Sequence, residues 1–177
     1  MLTFLTSANS SANPYVNSLL FKYKIPIVRI MTLVLFPQDS KYQELLQKVI
    51  PIRFSCVTSA GWPIVLSLWY IEKGGKIYCA TKKDAKVIQY LKENPKCAFE
   101  ISPDKPPYMG LRGRGHVTLR EDIASEILES LIDRYLNNRN STLAKFLLSQ
   151  SSEELAIEIT PSKLFSWDYT KRMKNSS

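Results

Sequence analysis

A chain of 177 residues with a formal net charge of +8 is long enough for one domain with a full core and too short for two comfortable ones. Its positive balance favours anionic partners such as nucleotides, nucleic acid, phosphorylated cofactors or anionic membrane. A single histidine, His116, argues against a histidine triad or a multi-histidine metal centre, and Cys56, Cys79 and Cys97 form no CxxC pair. They read as buried thiols in a reducing compartment, which predicts a cytoplasmic protein without disulfides or zinc.

Residues 1–37 contain no Asp or Glu, are rich in Ser and Asn early, and carry Lys22, Lys24 and Arg29. They have some transit-peptide character but lack the apolar core and cleavage site of a secretory signal. Those same charges interrupt Leu19 to Phe36, so no run reaches the roughly 18 apolar residues of a spanning helix. With Met31 as a second possible start, 1–37 is expected to be a weakly ordered extension and 38–177 the folded domain.

After Asp39, the spacing of Tyr42, Leu45, Leu46 and Val49 predicts an amphipathic helix ended by Pro51. Residues 53–60 read as a strand, Gly61-Trp62-Pro63 as a turn, and 63–71 as a second, almost continuously apolar strand. Glu72-Lys73-Gly74-Gly75 makes a hairpin into a third strand over 76–81. Asp84 then stands where a helix N-cap is expected, with Val87, Ile88 and Leu91 on one face and Asn94-Pro95 as the stop.

Lys82, Lys83 and Lys86 crowd the start of that helix, where the macrodipole makes each exposed lysine unfavourable by about 0.3–1 kcal/mol. A phosphate would account for the crowding by taking the free amides, the Thr81 hydroxyl and one or two ammonium groups. A solvated basic turn would account for it as well.

A fourth strand follows over 96–102, then a proline-rich loop over 103–110 and a fifth strand over 113–120, whose glycines suggest a bulge or a close backbone approach. Asp122 is placed to cap a long helix with the stripe Ile123, Ile127, Leu128, Leu131 and Tyr135, ended by Asn137-Asn138. Glu126, Glu129, Asp133 and Arg134 read as its solvated face. A short helix over 142–148 precedes a half-buried strand in which Leu155, Ile157 and Ile159 alternate with Glu154, Ala156 and Glu158. A last short strand spans 165–169. The fold class is mainly β (α+β), an antiparallel barrel of about six strands with peripheral helices.

Along the chain come, in order, Gly61-Trp-Pro63, Leu66-Ser-Leu-Trp69, Ile77-Tyr-Cys-Ala-Thr81, Asp84-Ala-Lys86 with Asn94-Pro95, Gly113-Arg-Gly115 and Phe165-Ser-Trp167. Together they resemble the pyridoxamine 5'-phosphate oxidase-like FMN-binding split β-barrels. The likeness covers about residues 39–172 and rests on order and spacing, since no single word is specific. It implies a split barrel binding FMN at the two-fold interface of a homodimer. Leu66, Ser67, Leu68 and Trp69 would run beside the flavin ring, and Ala80 and Thr81 would touch flavin and phosphate. Lys86, with Lys82 as a second contact, would pair with the phosphate, and Trp167 would reach the flavin from the other subunit.

The vitamin B6 oxidases themselves carry an arginine where this chain has Leu66, and a C-terminal Arg-Leu-His-Asp-Arg segment. Here the tail is Lys171-Arg-Met-Lys-Asn-Ser-Ser. The resemblance therefore implies a smaller relative, a flavin-dependent oxidoreductase acting on an unidentified small molecule. A 5-deazaflavin coenzyme on the same fold is the nearest alternative, and a non-catalytic flavin or nucleic-acid binding module the next. Hydride transfer by a flavin demands no dedicated acid–base side chain, which agrees with the scarcity of candidates in this sequence; neither membrane nor nucleic acid is an expected partner.

Weaker features have plainer readings. His116 could ligate haem, but a structural histidine suffices. Arg112 and Arg114 could line an anion site or an RNA-binding Arg-Gly segment, or be ordinary strand-face arginines near a dimer seam. Trp62, Trp69 and Trp167 could stack on a ring system or fill the core.

Overall fold

The computed structural model describes residues 36–174; the extension expected over 1–37 lies almost wholly outside the described residues. The elements are α1 (Ser40–Gln47), β1 (Ile52–Val57), β2 (Pro63–Leu68), β3 (Ile71–Lys73), β4 (Lys76–Lys82), α2 (Lys86–Glu93), β5 (Lys96–Ile101) and β6 (Met109–Arg120). After these come α3 (Ala124–Leu136), α4 (Thr142–Ser149), a 3₁₀ turn (Ser151–Glu153), β7 (Glu154–Asp168) and the short α5 (Thr170–Lys174). Seven strands, one more than expected, form a single antiparallel sheet in the order β2-β1-β5-β6-β7-β4-β3.

That order forces the sheet to curl. Strands β2 and β3 are its two edges, yet only Trp69 and Tyr70 separate them. Three Cα steps span at most about 11 Å, so the edges must come together there, and the result is a half-barrel split along one seam. The continuous strand expected over 63–71 breaks at this corner. Its backbone finds partners outside the sheet: the Tyr70 amide donates to the Tyr135 hydroxyl at 3.2 Å, and that hydroxyl donates to the Ile50 carbonyl at 2.7 Å. The fully buried Tyr70 hydroxyl donates to the Leu46 carbonyl at 3.3 Å, and Trp69 stacks on Tyr135 with ring centroids 5.0 Å apart.

Inside the curl, Phe54, Ile77, Ile101, Leu111, Ile157 and Ile159 pack with Tyr42, Leu45 and Leu46 of α1 and Val87, Ile88 and Leu91 of α2. Both helical stripes are those the sequence predicts, except that Val49 lies past α1 and is exposed. Cys56, Cys79 and Cys97 are free and buried in the same core. Burial drives all three thiols up, Cys97 to about 12.

The outer face of β7 is covered too, by Ala124, Ile127 and Leu131 of α3 against Ala156. The first six residues of β7 are therefore buried on both sides, where alternation alone predicts a half-exposed strand. Nor do 154–160 and 165–169 form two strands. β6 pairs with β7 along its whole length, and the single irregularity falls at Arg114/Gly115. There Ser162 donates its hydroxyl to the Arg114 carbonyl at 3.1 Å, and Gly115 admits the Thr160–Pro161 backbone where a Cβ would collide.

Two caps differ from expectation. Helix α2 starts after Ala85, which offers no side-chain acceptor, because the Ala85 amide closes a turn onto the Lys82 carbonyl and leaves Asp84 one residue early. Helix α3 starts after Ile123, and Asp122 instead holds Arg120 through two bonds of 2.7 and 2.6 Å. Arg134 is not on the solvated face of α3. It turns inward over the Tyr70 ring and donates to the Lys48 carbonyl at 2.7 Å.

Candidate functional site

The Trp69–Tyr70 corner places the end of β2 beside the end of β4. Between them, α3, α4 and the start of β7 lies a groove of about 420 Å³, inside the 300–1,000 Å³ of small-molecule sites. One wall is Ser67, Leu68 and Trp69; the next is Ala80, Thr81 and Lys82. Leu128 and Leu131 of α3 with Leu143 and Leu147 of α4 form the apolar side, and Glu154 stands at the head of β7. Six of the nine residues singled out in the sequence thus share one cavity.

The other three lie elsewhere. Leu66 is half-buried and packs toward the main core. Lys86 is exposed on the first turn of α2 and has no ion-pair partner among the described residues. Trp167 sits near the far end of β7, against Gly110 and tilted on Tyr169 with ring centroids 5.4 Å apart. Its indole nitrogen is buried without a hydrogen-bond partner among the described residues.

The lysine cluster is partly neutralised. Lys82 pairs with Glu153 at 3.5 Å and Lys83 with Glu121, both pairs at the surface. Such pairs contribute about 0–1 kcal/mol, which a phosphate dianion can displace. The first turn of α2, lacking a side-chain cap, leaves backbone donors next to Lys86.

Sequence reasoning missed the leucine wall and Glu154. Leu128 and Leu131 carry the signal of a helical stripe, which looks the same whether it faces a core or a cavity. Glu154 reads as the solvent side of a strand until the sheet order puts Lys82 opposite it.

A second hollow of about 420 Å³ lies on the outer face of the sheet, lined by Arg53, Val65, Phe99, Arg112, Arg114 and Phe165 among others. Val65 is 68% exposed, Trp62 73% and Phe165 45%; Trp62 is therefore not a core residue. Arg112, Arg114 and His116 all point outward on β6. Among the described residues no group of three His, Cys, Asp or Glu could hold a metal, and no helix is long and apolar enough to cross a membrane.

No family model matches the sequence, and no curated protein does. Solved structures match across the described domain. A conserved hypothetical protein from Mycobacterium tuberculosis, Rv2991, aligns with a TM-score of 0.65 at 16% identity, covering 78% of this chain and 89% of that one. An F420 reductase aligns at 0.62 and 21% identity, covering 73% and 98%. A candidate pyridoxamine 5'-phosphate oxidase from Listeria innocua aligns at 0.57 and 18% identity, again covering 73% and 98%. These likenesses and the curled seven-stranded sheet give the chain the fold of the pyridoxamine 5'-phosphate oxidase-like split β-barrels.

Proposed function

We propose that this protein binds FMN in the groove between β2, β4 and α3 and serves as a flavin-dependent oxidoreductase on a small molecule. The observation that carries this reading is the meeting of Ser67–Trp69 with Ala80–Lys82 around one apolar cavity; from Lys82 the chain turns through residues 83–85 into the start of α2, which bears Lys86 and lacks a side-chain cap. Lys86 and the free amides of α2 would hold the phosphate. Trp69 and the four leucines would exclude water from the ring, and the hydroxyls of Ser67 and Thr81 offer polar contacts at the wall. Bound FMN supplies hydride chemistry of its own, so the chain's part is binding, orientation and desolvation.

Purified protein is expected to be yellow, with a released molecule of FMN mass. Lys86→Glu is expected to weaken FMN binding about tenfold or more, since a charge-assisted contact becomes a repulsion; equal retention by that variant would remove the phosphate from α2. A 5-deazaflavin coenzyme is the second reading, favoured by the F420 reductase among the structural neighbours. Colourless protein that binds only the deazaflavin would decide for it.

The proposal includes a homodimer with the cofactor at its interface. It is supported by exposed Val65 and Phe165 in the outer hollow, since apolar side chains gathered on one sheet face suit a covered surface. It would also give Trp167, remote from its own groove, a place in the partner's site. Sedimentation velocity should report a dimer, and Val65→Glu should shift it to monomer. A wild-type monomer would end this part of the proposal.

A further inference from the structure

Glu154 is a largely buried acidic side chain on the wall of the groove. It is 7% exposed, yet among the described residues no hydrogen bond or ion pair reaches its carboxylate. Its backbone is used in the ladder opposite Lys82, but the Lys82 ammonium goes to Glu153 at 3.5 Å. The groove it shares with Leu128, Leu143 and Leu147 also holds the Ser67 and Thr81 hydroxyls, neither of which bonds to its carboxylate. Burial raises its carboxyl pKa, Lys82 pulls it down and Glu153 adds to the rise. The other buried carboxylate among the described residues is satisfied: Glu158, equally buried, takes Lys76 and Arg120. Neither of its oxygens is sealed from solvent without a partner, so the carboxylate opens on the groove, where a ligand can supply the donor that the protein does not.

We infer that Glu154 reads the ligand: its carboxylate accepts a hydrogen bond from a ring N–H of a planar heterocycle seated in the groove. The inference rests on the flavin-type reading above and narrows it. A phosphate is repelled at this position, whereas flavins and 5-deazaflavins share one imide N–H, so the assignment holds for either coenzyme.

The test is binding of FMN and of its N3-methyl derivative, which lacks that donor, by fluorescence titration of the full chain and of two variants. Wild-type protein should prefer FMN over the methylated form by about tenfold or more, as suits a hydrogen bond to a charged group. Glu154→Leu should lose the preference, and Glu154→Gln, whose amide oxygen still accepts, should keep part of it. Urea midpoints establish that both variants are folded. A wild type that binds the two flavins equally, or a Glu154→Leu variant that still separates them, overturns the assignment while leaving FMN binding intact. Wild-type protein that binds neither flavin overturns the FMN reading, and the same pair of titrations with the 5-deazaflavin and its N3-methyl form then decides the assignment: equal binding of that pair, or binding of neither, overturns it.

Discussion

Lys76→Met is expected to destabilise the protein by about 3 kcal/mol, the low end of the range for stripping one partner from a buried ion pair. Glu158 is 5% exposed on the α3 side of β7. Its carboxylate is held by Lys76 at 2.6 Å and by Arg120 at 3.3 Å. Removing Lys76 leaves the shorter contact unmade and a carboxylate desolvated against α3. Arg120 cannot replace it fully, because Asp122 already holds two of its nitrogens. The same logic makes the charge itself dispensable. In Lys76→Met/Glu158→Leu both partners become apolar, and most of the lost stability should return. Urea midpoints at constant m-value give the comparison. A single variant as stable as wild type, or a double variant no better than the single, would contradict the account.

Gly115→Ala is expected to cost about 3 kcal/mol, the upper end for overpacking. A Cβ there meets backbone only: the Thr160 carbonyl and the Pro161 Cα at 3.0 Å. Both belong to the central β6–β7 pair, so relief requires the two strands to part at the bulge. Gly113→Ala should cost less. Its Cβ would come within 2.5 Å of Phe99 Cζ and 2.8 Å of Leu164 Cδ2, flexible ends that can yield, although the Lys163 carbonyl at 2.9 Å cannot. Thermal midpoints of the two variants should therefore rank Gly115 below Gly113. The reverse order would mean that the bulge gives way more easily than the side chains around Phe99.

Features held by local pattern were legible in the sequence. The stripes of α1, α2 and α3, the Gly74-Gly75 hairpin with its two positive φ angles of 63° and 79°, and the stop at Asn94 follow from helical spacing and turn chemistry. Features set by distant partners were not. Tyr135, 65 positions away, supplies the hydroxyl that lets the strand break at Tyr70. Pairing with β6 carries β7 through Pro161, and the packing of α3 buries Glu154, Ala156 and Glu158 on the face that alternation gives to solvent. In the candidate site, the strand-end residues from Ser67 to Trp69 and from Ala80 to Lys82 came from ordered words along the chain. Leu143, Leu147 and Glu154 depend on how α4 and the 3₁₀ turn lead into β7, and nothing local encodes that.

The three sequestered cysteines make the molecule its own stopwatch. A thiol-directed dye attacks only a deprotonated, reachable sulfur, and the barrel interior denies Cys56, Cys79 and Cys97 both conditions. Labelling at neutral pH should then proceed no faster than the strands come apart. A mass spectrometer counting dye adducts against time would read how often β1, β4 and β5 open, without any engineered probe.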